Sequence, residues 1–269
     1  MTATDAVDLH STQEEADTRR FLHAFHVTPD GHHSIAVFSP DTDAEVLASH
    51  HQAATPAEII LISGTRSRSR LVSVRRLCEK LGHRVCQVLP SLHALTGCDT
   101  VSSFVGKGKK KALELVKDDQ IARETVQILG ETIPLGEHDI IKLEKVVCKL
   151  YNEHQCDRVD ELRYKMFCKG KNVHSHQLPP TRASLENHLK RANYQAYIWK
   201  SALDSQSPEI GPQNQGWQLR DGQLEIVWTV LAPALEGFME LLCCGCHSTC
   251  LGASLLALAE SIYYCSNDK

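Results

Sequence analysis

The sequence is poor in aromatic residues, at 6% of 269, and it has no long apolar run. Its longest, 226–235 and 251–259, are far shorter than the roughly 20 residues a membrane helix needs. The amino terminus is polar and acidic, without the basic-then-apolar pattern of a secretory leader. No internal repeat is visible. No nucleophile elbow is present, so acyl transfer has no support, and the glycine-lysine turn near residue 106 lacks the spacing of a nucleotide-binding P-loop. With 42% apolar and 23% charged residues, composition excludes a disordered or fibrous chain. A soluble intracellular protein is expected, one large domain or a domain plus a module.

Eleven cysteines are present, and without a leader a disulfide framework is not expected. Cys78, Cys86, Cys98, Cys148, Cys156 and Cys168 are scattered, most of them in apolar stretches where a thiol acts as a small hydrophobe. Cys243, Cys244, Cys246, Cys250 and Cys265 crowd the carboxy terminus, where a metal module is the rival reading. The net charge of −4 conceals a segregation. Residues 1–60 hold ten acids and two bases, whereas 61–117 hold twelve bases and three acids. Acids that hold divalent cations beside bases that neutralise phosphate would suit an enzyme acting on a polyanion. Two solvated surfaces would give the same count.

Along the chain, 13–27 has helical spacing, 34–38 reads as a short buried strand, and 46–50 as a following helix. A second buried strand is expected at 58–63, ended by Gly64, then a strand end and helix over 71–81, closed by Gly82. This alternation predicts an α/β domain with a mostly parallel sheet, whose ligands collect beyond the carboxyl ends of the strands. Beyond residue 85 the pattern turns helical. Ile140, Leu143, Val146, Val147 and Leu150 mark one amphipathic helix, 161–168 another, and Pro179-Pro180-Thr181 a stop and cap before a helix over 183–203. Residues 205–215 read as a linker, and Asp221-Gly222 predicts a hairpin turn.

Three acidic clusters fall at the ends of these elements. Asp41 and Asp43 follow the strand at 34–38, Glu14, Glu15 and Asp17 open the first helix with Glu14 and Asp17 on one face, and Asp99 follows Gly97-Cys98. Each has a plain alternative as a turn, a helix cap or a solvated first turn. Taken together they suit Mg²⁺ or Mn²⁺, hard ions bound by a few carboxylates and water. Residues 105–116 then supply the nucleic-acid signal. Gly106 and Gly108 allow close backbone approach, and Lys107, Lys109, Lys110 and Lys111 surround a helix entry that could hold one duplex phosphate or simply face solvent. The pairs His32-His33, His50-His51 and His174/His176 read as surface or core histidines, and Trp199, Trp217 and Trp228 as packing between the carboxy-terminal helices and the hairpin.

The order Glu-Glu-Ala-Asp, strand-Asp-x-Asp, Gly-Cys-Asp, short helix and Gly-Lys-Gly-Lys-Lys-Lys-Ala over 12–117 resembles the PIN-like nuclease fold of the flap endonuclease and XPG group. The resemblance implies a PIN-like sheet flanked by helices over 12–125, a helical extension over 126–204, and a hairpin with a cysteine-rich tail over 216–269. It implies Glu15, Asp41, Asp43 and Asp99 as catalytic residues. Glu14 and Asp17 would join them as ligands of Mg²⁺ or Mn²⁺, and 106–111 would grip DNA, which in turn implies a nuclear location. The wording at 14–19, 40–43, 92–99, 178–181 and 191–199 is similar to a family of animal proteins that looks transposon-derived. Two departures stand out. The opening strand with its aspartate is missing, so the metal site is expected to be one ligand short, which leaves both an active and an inactive nuclease fold open. In the tail, Cys244, Cys246 and Cys250, with His247 or Cys265, form a shortened version of a tesmin-type zinc module.

Overall fold

The computed structural model describes residues 9–27, 32–64, 69–169, 174–206 and 210–229. Helix α1 (Ala16–His26) buries Phe21, Leu22 and Ala24. Strand β1 (Ser34–Phe38) leads into helix α2 (Thr42–His51), a 3-10 turn at Gln52–Ala54, and strand β2 (Glu58–Ser63). β1 and β2 pair in parallel, with Ala36 opposite Ile60 and Phe38 opposite Ile62. Strand β3 (Arg70–Ser73) then pairs with β2 antiparallel, Ile62 opposite Leu71.

The class is α/β, as the alternation predicts, but the sheet is mixed rather than mostly parallel. The connection at 64–69 explains the difference. A parallel return needs a crossover of a dozen or more residues, and this one only suffices to reverse direction. A second expectation also fails. β1 is not a buried strand: among its residues only Val37 is buried, and Phe38 is 70% exposed. Lying outermost in the described order β1-β2-β3, it is apolar in composition yet open to solvent.

Helix α3 (Val74–Leu81) is capped by the Ser73 hydroxyl, which accepts from the Arg76 backbone N–H, and closes at Gly82. Next comes α4 (His83–Thr96), the central helix of the fold, which packs against α2 and against three later helices. These are α5 (Lys109–Asp118), α6 (Gln120–Gln127) and α9 (Arg182–Lys200). Helix α7 (Glu137–Leu150) buries the five apolar residues of its predicted face, and α8 (Val159–Lys169) packs beside it. Buried Glu144 of α7 accepts from the Val159 backbone N–H at 2.8 Å and pairs with Arg182 at 3.0 Å, so one carboxylate joins three helices. Thr181 caps α9 as predicted, accepting from Ser184 N–H, a bond of about 1 kcal/mol. A single buried apolar cluster runs from Phe21 to Ala202.

Strands β4 (Trp217–Arg220) and β5 (Gln223–Ile226) form the predicted hairpin. Asp221 and Gly222 both adopt positive φ, the geometry of a tight hairpin turn. Arg191 of α9 donates to the Gly216 and Val227 carbonyls at 3.1 and 2.9 Å and so anchors the hairpin. Trp217 meets Tyr194 and Trp228 lies against Arg191, as packing predicts. Trp199 instead enters the core beside His93. The early chain returns to α9 as well: Thr12 N–H donates to the Ser205 carbonyl at 3.2 Å, and Gln13 Nε2 to that of Ala202 at 3.3 Å.

Candidate functional site

Beyond Phe38 the chain turns at Ser39-Pro40, with the Ser39 hydroxyl accepting from Asp41 N–H at 3.3 Å. Asp41 occupies the N-cap position of α2 in an extended conformation, yet its side chain makes no capping hydrogen bond. Asp43 lies inside the first turn. The capping alternative for this pair therefore fails, and the carboxylates are left for other partners. Asp43 Oδ1 accepts from His93 Nε2 at 2.8 Å, and His93 is buried in α4.

Helix α1 starts at Ala16, so Glu14 and Glu15 precede it. This corrects the expectation that Glu14 and Asp17 share a helical face. Glu14 is exposed, and its charge is felt by Tyr194. Glu15 is the N-cap residue without a capping bond. Its Oε1 accepts from Gln195 Nε2 at 2.9 Å, and the Gln195 carbonyl oxygen accepts from the Thr100 hydroxyl at 2.6 Å. Glu15 Oε2 and the Trp199 indole N–H are both buried without a hydrogen bond of normal length, and the indole N–H lies close enough to the Glu15 carboxylate to favour its charged form. Asp17 pairs with Arg20 at 2.7 Å.

Charge crowding follows from this placement. Burial is the first cause of a raised Glu15 pKa; the Gln195 hydrogen bond opposes it, and Asp17 and Asp43 add to it. Asp17 is likewise raised by burial first, with Arg20 opposing and Asp43 and Asp41 adding. Four acids from two separate stretches thus share one electrostatic neighbourhood.

Asp99 joins them less directly. Gly97 ends α4 at φ +105°, and an added Cβ there would lie 2.7 Å from the Ser103 Cβ. Cys98 and Val101 then exchange backbone hydrogen bonds around an exposed Asp99. No short helix follows: α5 begins only at Lys109, with Gly108 as its N-cap, so Asp99 caps nothing. Lys109 links the two halves of the rim. Its ammonium donates to the Gly97 carbonyl. Burial lowers its pKa, while Cys98, Asp43 and Asp99 pull the other way.

The expected phosphate grip is therefore partly turned inward. Gly106 has φ +69° and Gly108 an extended N-cap geometry, as a tight bend into a helix requires. Lys107 lies over the Tyr151 ring at 4.8 Å, and the Lys109 ammonium is held by the Gly97 carbonyl. Lys110 is exposed on the first turn, and Lys111 is partly covered. Cys244, Cys246, Cys250 and the other tail cysteines lie outside the described residues, as does most of 205–215's central portion at 207–209.

The sequence alone did not point to His93, Thr100, Gln195 or Trp199. The only trace was the distinctive wording at 92–99 and 191–199. Comparison of the chain with protein-family models, curated proteins and solved structures finds no match. The donors, all carboxylate, are of the type a hard divalent cation takes. As placed, no group of three or more His, Cys, Asp or Glu among the described residues stands close enough to hold a metal ion. Among the same residues no helix is long and apolar enough to cross a membrane.

Proposed function

We propose that this chain is a nuclease-like protein that acts on DNA phosphodiesters with Mg²⁺ or Mn²⁺. The observation that carries the reading is the shared neighbourhood of Glu15, Asp17, Asp41 and Asp43 at the carboxyl end of β1, where burial and mutual repulsion raise both Glu15 and Asp17. Those four residues would hold the cation, with Asp99 beside Lys109 at the rim. A bound ion of this kind lowers the pKa of water and neutralises developing phosphate charge. The chain's own part is to exclude solvent around Glu15, fix Asp43 through His93, and present Lys110 and Lys111 to the phosphate backbone. Incubation with flap and nicked duplex DNA in Mn²⁺ tests this. Asp41→Asn and Asp43→Asn should each lose more cleavage than the roughly 10–100-fold typical of outer-shell changes, with DNA affinity retained. Cleavage persisting in both rejects the site.

A second reading is a non-catalytic DNA-binding or scaffold protein of transposon origin. The spacing of the acids, too open to hold an ion as placed, favours it. It predicts salt-sensitive DNA binding and no thermal stabilisation by Mn²⁺, because only a ligand that prefers the folded state raises stability.

A further inference from the structure

Helix α3 divides into two faces. Val74 is buried and Leu77, Cys78 and Leu81 are half-buried, whereas Arg75, Arg76, Glu79 and Lys80 are exposed. Positions four apart share a row on a helix. Arg75 and Glu79 make one such row, and Arg75 also donates to the Pro56 carbonyl at 2.6 Å. Arg76 and Lys80 make the other, with no acid in it. Gly82 then joins α3 directly to α4, whose first turn adds exposed Arg84 and contains no acid either. Lys80, in the last turn of α3, is what the helix dipole favours, but Arg84 is a cation where the dipole of α4 favours an anion. Among the described residues Arg76, Lys80 and Arg84 have no ion-pair partner. Three lysines of α7 and α8 differ: Lys142, Lys145 and Lys165 pair with Asp139, Asp157 and Glu161 at 3.2, 2.7 and 2.7 Å.

We infer that Arg76, Lys80 and Arg84 form a second phosphate-contacting surface, which joins the bend at Lys110 when duplex DNA is bound. This rests on the DNA-binding part of the reading above and needs no metal ion. The two surfaces stand at opposite ends of α4: α3 meets its start, and Lys109 is held on the Gly97 carbonyl at its end. The 14 residues of α4 span about 21 Å. That is about six base pairs of duplex, so only a longer one meets both surfaces.

The salt dependence of binding to a duplex of about 20 base pairs, read by fluorescence anisotropy, tests the surface. Each lost phosphate contact lowers the slope by roughly 0.9, so Arg76→Gln/Lys80→Gln/Arg84→Gln should lower it by about two to three. Arg84→Gln alone should lower it by about one, and it stands in should the triple variant fail to fold. Lys142→Gln/Lys145→Gln/Lys165→Gln removes the same net charge from paired lysines and should leave the slope unchanged. An unaltered slope in the first two variants, or an equal fall in the third, overturns this surface and leaves the bend standing. Loss of binding to anionic lipid vesicles in the first triple variant, with DNA binding intact, overturns it in favour of a membrane partner. A wild-type chain without salt-sensitive DNA binding overturns the surface and the DNA reading together.

Discussion

His93 Nε2 and Asp43 Oδ1 meet at 2.8 Å, fifty residues apart in the chain, with the histidine buried in the central helix and the aspartate at the mouth of the first strand. The contact fixes the first turn of α2 against α4. Truncation to His93→Ala leaves the Asp43 carboxylate short of a donor and opens space beside Trp199. A cost of about 1–3 kcal/mol is expected, read as a lowered urea midpoint. His93→Gln, which keeps a nitrogen donor, should recover part of that loss. Equal destabilisation by the two variants would assign the effect to packing alone.

Gly97 allows the chain to leave α4 at a positive φ with Ser103 pressed against it. Gly97→Ala combines that strained conformation with a Cβ at 2.7 Å from Ser103 Cβ. The turn bearing Asp99 and the carbonyl that receives Lys109 must shift together. Destabilisation by more than about 1 kcal/mol is expected in chemical denaturation. Gly108→Ala, whose Cβ would meet nothing within 4 Å, should cost less, only the loss of a better N-cap residue at the start of α5.

His188 is fully enclosed, its Nε2 within 2.9 Å of the Leu95 carbonyl and its Nδ1 within 3.1 Å of the Ser102 hydroxyl. Burial pushes its pKa down to about 4 from an ordinary 6.5. Below pH 6.5 the unfolded chain therefore binds a proton that the folded chain refuses. Stability is complete above that value and falls as the pH drops toward 4, by roughly 3 kcal/mol from this residue. Urea titrations between pH 7 and pH 4 should show the decline. Burial also lowers His50 and His51, so His188→Asn should reduce the decline by its own share rather than abolish it, and an unchanged slope would remove His188 as a source.

The lysines of the bend are not equivalent. Lys109 and Lys110 are both exposed, but Lys109 spends its ammonium on the Gly97 carbonyl, and Lys107 lies on the Tyr151 ring. Lys110→Gln should therefore reduce the salt slope of DNA binding by about one, as loss of one phosphate contact does. Lys109→Gln should change it less. Fluorescence anisotropy across a salt series distinguishes them, and equal slopes for both variants would contradict this division.

What the sequence made legible was local. The β1 and β2 runs, the face of α7, the Thr181 cap and the Asp221-Gly222 turn each depend on neighbours within a few residues, and each was found. The direction of β3 depended on the length of a loop, which the apolar pattern does not report. Burial of β1 depended on its place at the sheet edge, and an edge strand can have the same composition as a central one. Among the acids, the candidates could be named but not their partners. His93 and Gln195 are ordinary residues inside helices, and only the tertiary fold brings them to Asp43 and Glu15. Reading Glu14 as part of α1 erred by two residues at a helix start, the place where caps and turns compete most closely.

The bond between Glu15 and Gln195 spans 180 residues, and the bonds from Thr12 and Gln13 to the end of α9 span more. During synthesis Glu15 leaves the ribosome well before α9 and waits until residue 195 has emerged before its buried donor is made. Until then Glu15 is a hydrated carboxylate like any other. A nascent chain stopped short of residue 182 would carry every acid of the rim and none of the helix that orders it.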